Sequence, residues 1–115
     1  MRELVSLAQE SDAQIFAVGL CQNPATFEEV QGPALLAKLA SVSGGLDYQI
    51  RDLNELPTSM ARIGVTLHNE YVLGYYPPED APAGKYRKIT VNLLLPAGLP
   101  RLHVYARSGY YVPGP

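Results

Sequence analysis

The sequence predicts an α/β fold, in which a partial doubly wound sheet with helices is followed by a small antiparallel β-meander. Residues 1–72 alternate helix, strand, helix, strand and helix, an order that normally builds a parallel sheet. Residues 73–115 instead alternate apolar and polar positions between Pro and Gly loops, as antiparallel strands do. A chain of 115 residues has room for one core, so both parts are expected to form one structural unit.

Composition excludes several classes of function. The net charge of −2 and the dispersed Lys and Arg residues give no basic patch, so nucleic-acid binding is not expected. No apolar run is long enough to cross a bilayer, so no membrane span is expected. Cys21 is the only cysteine, which excludes an intrachain disulfide and a Cys-rich metal site.

The first predicted elements are a helix and a buried strand. Residues 2–10 carry their apolar side chains on one side, which is typical of an amphipathic helix. Residues 13–20 form an almost unbroken apolar run, as expected of a parallel strand with a neighbour on each side. A polar loop is expected over residues 21–31, although residues 25–30 can form a turn of helix.

The next helix, strand and helix are marked by local signals. Gly32 and Pro33 predict a helix start, and Gly44 with Gly45 predicts its end. Residues 46–50 follow as a short strand, and a capping box then predicts another helix at Asp52-x-x-Glu55. One apolar stripe of that helix is expected to face the core: Leu53, Leu56, Met60, Ile63, Leu67 and Tyr71.

The meander is predicted from three segments, residues 71–76, 86–95 and 102–107. Two tyrosine pairs accompany it, Tyr75 with Tyr76 and Tyr110 with Tyr111. Neighbours on a strand point to opposite faces, so one tyrosine of each pair is expected in the core, with stacking across the pairs. The alternative is a platform of exposed tyrosines that binds carbohydrate or peptide.

Several short segments together indicate a family. The most specific are Leu-Gly-Tyr-Tyr-Pro at residues 73–77 and Arg-x-Gly-Tyr-Tyr at residues 107–111, which flank Lys-x-Arg-Lys-Ile at residues 85–89. With the patterns over residues 15–20, 36–45 and 52–63, they make the chain resemble the carboxyl-terminal half of a von Willebrand factor type A (vWA) related domain, of the kind abundant in Acidobacteria. The resemblance implies a Rossmann-like, doubly wound fold and an extracytoplasmic or secreted location.

The resemblance also implies that a metal site is missing. Type A domains that bind a divalent cation use an Asp-x-Ser-x-Ser loop, whose oxygens suit Mg²⁺. No such loop occurs here, and the nearest match, Ser41-Val42-Ser43, has Leu39 where the Asp belongs. The chain is therefore expected to bind no metal or cofactor and to act as a non-catalytic module for protein recognition.

Catalytic alternatives have little support in the sequence. A Cys21 nucleophile needs a histidine base, and neither His68 nor His103 lies on an element expected nearby. The adjacent acids Glu28 and Glu29, like Glu79 and Asp80, are expected to be solvated loop residues. Gly19 and the pair at 44–45 match no phosphate-binding loop and are interpreted as turn residues.

The interaction residues are expected on two surfaces. If residues 13–20 form an interior strand, this chain supplies only one parallel neighbour, around residues 46–50. The other edge, at Ile15, Phe16 and Val18, would expose unpaired backbone groups, and such edges pair with other chains. A homo-oligomer joined through this edge is therefore predicted. The second candidate surface is formed by the tyrosine pairs.

Overall fold

The computed structural model describes residues 2–23 and 25–114. It contains α1 (Arg2–Glu10), β1 (Ala17–Leu20), α2 (Phe27–Ser43), β2 (Asp47–Ile50), a 3₁₀ turn (Leu53–Glu55), α3 (Leu56–His68), β3 (Tyr86–Lys88) and β4 (Gly109–Tyr111). The strands form two sheets of two strands each, β1 with β2 and β3 with β4. The chain is therefore α/β, as predicted, with far less sheet than the sequence suggested.

The first sheet is parallel, and α2 connects its two strands. The register runs from Ala17 opposite Asp47 to Leu20 opposite Ile50. The prediction that the first strand begins at residue 13 is wrong, since β1 begins only at Ala17. The backbone N–H of Ile15 donates instead to the hydroxyl of Ser43, 2.9 Å away, so the chain before β1 is fastened to the end of α2.

The start of α2 differs from the prediction, whereas its end agrees with it. The helix begins at Phe27, so Pro33 lies inside it and removes one intrahelical hydrogen bond. Asn23 organises the entry, because its carbonyl accepts from the N–H of Thr26 at 3.3 Å. At the other end Gly44 has φ 85°, and Gly45 N–H donates to the Ala40 carbonyl at 2.9 Å, as in a Schellman motif.

The capping box before α3 is confirmed. The Asp52 carboxylate accepts from Asn54 N–H at 2.8 Å, and the Glu55 carboxylate accepts from Asp52 N–H at 3.0 Å. The predicted burial of the apolar stripe is wrong, since Ile63 is buried but the other five members are exposed. Tyr71 lies beyond the helix, which ends at His68. In the described chain no other helix or strand packs extensively along α3, and apart from Ile63 the apolar side chains of this face are exposed.

The second sheet is the base of a hairpin and not a three-stranded meander. Tyr86 pairs with Tyr111 and Lys88 with Gly109 in antiparallel register. Residues 71–76, 90–95 and 102–107 belong to no strand of the described chain, which corrects the prediction. The ladder stops because Ser108 directs both its N–H and its hydroxyl to the Val42 carbonyl of α2, at 3.4 and 3.3 Å.

The core is small and the chain is extended. Its buried apolar side chains are Ala8, Ala17, Ala40, Val42, Ile50 and Ile63. The accessible surface of 9146 Å² is about 3,000 Å² more than the roughly 6,200 Å² expected of a folded monomer of 12.5 kDa. The radius of gyration, 16.9 Å, likewise exceeds the roughly 13 Å typical of this length. Much apolar surface is therefore without cover.

Candidate interaction surfaces

The free edge of β1 is the first candidate surface. Ala17 and Cys21 direct their N–H groups at β2, to the carbonyls of Leu46 and Ile50, each at 2.9 Å. Because N–H groups alternate in direction along a strand, those of Val18 and Leu20 point away from β2. No strand of the described chain pairs with this edge. Such an edge presents backbone donors and acceptors that another strand can complete.

The predicted edge residues do not share one environment. Ile15, Phe16 and Val18 are all half-buried. Ile15 lies before β1 and its N–H is already bound by Ser43, so it is not part of the free edge. Phe16 also precedes the strand, which leaves Val18 as the predicted residue that lies on the edge itself.

The two faces of β1 are covered unequally. Ala17 and Gly19 are buried, and Gly19 lies so close to Leu36 of α2 that a Cβ added there would stand 3.0 Å from its methyl carbon. Val18 is half-buried and Leu20 is exposed on the other face. Parallel strands normally have both faces covered. This sheet is therefore less fully covered on one face and unpaired at one edge.

The tyrosine pairs are in contact, as predicted, although no strand carries Tyr75. Tyr75 and Tyr110 meet edge to face with ring centroids 6.3 Å apart, and the Tyr75 hydroxyl donates to that of Tyr110 at 3.0 Å. This hydrogen bond raises the pKa of Tyr75, because it stabilises the protonated phenol. Tyr111 packs instead on Tyr86, with centroids 5.1 Å apart.

The two tyrosines of the first pair do not divide between core and solvent. Tyr75 and Tyr76 are both exposed, and Tyr76 is fully exposed. The prediction that one of the two enters the core is therefore wrong. Tyr110 is half-buried and Tyr111 is on the margin of exposure. The contact with Tyr110 favours a packing role for Tyr75, which leaves Tyr76 as the ring in this pair free to meet a ligand.

Arg107 joins the two ends of the chain, a role that the sequence reasoning missed. Its guanidinium donates to the Gln9 carbonyl at 2.5 Å and to the Gly109 carbonyl at 2.8 Å, and it lies 3.7 Å from the Asp12 carboxylate. Gln9 is in the last turn of α1, where carbonyls lack helical partners and a cation is favourable. The sequence signal for this role is the arginine of Arg-x-Gly-Tyr-Tyr, whose pattern indicates a family but not a partner for the side chain.

Among the side chains that the structure describes, the catalytic candidates are not assembled into a site. Cys21 is half-buried, and its sulfur lies 3.5 Å from the Gln49 side-chain oxygen. His68 and His103 are exposed, as are Glu79 and Asp80, while the side chains of Glu28 and Glu29 lie outside the described residues. No group of three His, Cys, Asp or Glu side chains that could hold a metal ion occurs within the described ranges.

Comparison with known proteins adds no relative. No protein-family model, no curated protein and no solved structure matches this chain. Of the helices within residues 2–23 and 25–114, none combines the length and the apolar character needed to cross a bilayer.

Proposed function

We propose that the chain is a non-catalytic protein-interaction module, related to the carboxyl-terminal portion of a vWA domain and lacking a metal-ion-dependent adhesion site. It recognises another chain by adding a strand to the free edge of β1, and the simplest partner is a second copy, which yields a homo-oligomer. The observation that carries this proposal is the unpaired edge at Val18 and Leu20 on a sheet of only two parallel strands.

Two features support strand addition at this edge. Two-stranded sheets are marginal alone, and an added strand would complete the hydrogen bonds of Val18 and Leu20. The less covered face of β1, at Val18 and Leu20, would gain apolar neighbours at the same time. Two glycines of the segments that resemble the vWA family are required by the structure. A Cβ at Gly45 would collide with the Ile15 backbone, and one at Gly109 would collide with the Tyr86 ring.

The test is light scattering at micromolar concentration on the parent chain and on Val18→Pro. Proline removes the outward N–H and is tolerated at an edge, so the ladder to β2 should persist while strand addition is blocked. We expect a dimer or larger assembly for the parent and a smaller assembly for the variant, with unchanged circular dichroism. Val18→Thr, which keeps the N–H and the shape, should behave as the parent. A monomeric parent would refute the proposal.

A further inference from the structure

The segment between β3 and β4 has backbone hydrogen bonds at its base and at its tip, but its two arms are not paired with each other. At the base, the ladder continues one step past Lys88, since Ile89 N–H donates to the Ser108 carbonyl at 3.0 Å. At the tip, Leu99 N–H donates to the Pro96 carbonyl at 3.4 Å across a turn in which Gly98 has φ 94°. The two arms between them, residues 90–95 and 102–107, form no strand.

The base already sets the register that the arms would adopt. Continuing the pairing of Lys88 with Gly109 places Val91 opposite Ala106, Leu93 opposite Val104 and Leu95 opposite Leu102. Each pair is apolar, and alternate positions of a strand share a face, so all six side chains would lie together. A shift by one residue would send one arm's apolar set to the other face, so this register is the one that agrees with the pattern.

The open arms leave that apolar face in water. Leu93, Leu95, Leu102 and Val104 are 49%, 36%, 56% and 41% exposed. Isolated hairpins are marginal in water, and a hydrophobic face normally needs a packed partner. The N–H of Ser108 donates to the Val42 carbonyl of α2, so it is missing from the ladder at the point where further strand pairing would begin. The arms therefore need a covering surface before closure becomes favourable.

The same chain carries a surface of matching length and character. The exposed part of the α3 stripe (Leu56, Met60 and Leu67) is 37%, 55% and 48% exposed. From Leu56 to Leu67 the helix rises about 17 Å, and from Ile89 to Leu95 a strand would rise about 20 Å. Within one copy both surfaces are exposed, so neither covers the other.

We propose that residues 89–95 and 102–108 close into one β-hairpin that continues β3 and β4, and that α3 of a second copy covers its apolar face. The contact is used twice about a two-fold axis, α3 of each copy on the hairpin of the other. The accessible surface of each chain is about 3,000 Å² larger than expected of a folded monomer. That excess is large enough to supply the 1,000 to 2,500 Å² that each subunit of an obligate dimer typically buries. This surface is separate from the β1 edge and does not depend on the function proposed above.

The register is tested by disulfide trapping in a Cys21→Ser background. Asn92 and Tyr105 become directly opposite in a pair without mutual hydrogen bonds, where Cα atoms approach closely. Asn92→Cys with Tyr105→Cys should oxidise about tenfold faster than the diagonal control, Asn92→Cys with His103→Cys, because only opposite positions meet disulfide geometry. Equal rates for the two intrachain products would overturn the register.

The covering partner is tested in the same assay. The rate advantage should rise with protein concentration together with the dimer seen by light scattering. It should be lost in Met60→Lys, on the stripe, and kept in Val65→Lys, which places the same charge on the opposite side of α3. Val18→Pro, which blocks only the β1 edge, should leave both the advantage and its dependence on concentration intact, which separates this contact from the β1 edge. Selective oxidation that ignores concentration and Met60→Lys would overturn the second copy as the cover.

Discussion

Two regions of this chain carry the same kind of apolar pattern but reach different degrees of burial. The clasped region, residues 2–50 with 107–112, holds five of the six buried apolar side chains: Ala8, Ala17, Ala40, Val42 and Ile50. The open region, α3 with residues 89–106, contributes only Ile63 to that set. An amphipathic face therefore becomes part of a core only when a second apolar surface packs against it.

Specific long-range contacts account for the difference. In the clasped region Ser43 binds the Ile15 backbone, Arg107 binds the end of α1, and Ser108 binds the end of α2. These bonds join segments that are distant in sequence and bring their apolar faces together. The hydrogen bond that follows α3 is different, because it links the side chains of Gln14 and Glu70, which are both exposed.

The largest expected effect separates the two regions with one chemical change. In Gly45→Ala the new methyl would lie inside van der Waals contact with the Ile15 carbonyl, so the free energy of unfolding should fall by about 3 kcal/mol. In Gly64→Ala of α3 no other atom lies within 4 Å of the new methyl group. The higher helix propensity of alanine should therefore raise the free energy of unfolding by about 0.5 to 1 kcal/mol. Urea unfolding of both variants measures this. Equal effects of one sign would erase the contrast between the regions.

A smaller effect is expected from opening the clasp itself. Arg107→Ala removes the donors to the Gln9 and Gly109 carbonyls, and the free energy of unfolding should fall by about 2 kcal/mol. The exposed Arg101, in the open region, is the matched control, and Arg101→Ala should change stability by less than about 0.5 kcal/mol. The same urea experiment decides, and a neutral Arg107→Ala would mean that the clasp is not what holds the ends together.

The smallest effect concerns pH at the contact between Tyr110 of the clasped region and Tyr75, which lies outside both regions. The hydrogen bond to Tyr110 raises the pKa of Tyr75 above its unfolded value of about 10. Its contribution to stability is therefore complete below about pH 10 and is lost as pH rises through the folded pKa. Tyr110→Phe should lower the pKa of Tyr75 and flatten this dependence, as read by the ultraviolet absorbance of tyrosinate. Tyr76→Phe is the control, and an identical change in both variants would contradict the contact.

Much of the local structure was determined by the sequence alone. The bounds of α1, the glycine stop of α2 and the capping box at Asp52 and Glu55 agree with the prediction. The parallel strand β2 lies within the predicted residues 46–50. These features depend on hydrogen bonds and dihedral preferences within a few residues, so their signals are contained in short stretches of sequence.

Only the tertiary structure decided where the strands begin and end and which apolar faces are covered. Ser43 takes the Ile15 N–H and so delays β1, and Val42 takes the Ser108 N–H and so ends the second ladder. The stripe of α3 has the periodicity of a core helix, yet apart from Ile63 it remains exposed. Periodicity shows that one face of an element is apolar, whereas burial of that face depends on which other element packs against it. That element is distant in sequence, so no short stretch of sequence identifies it.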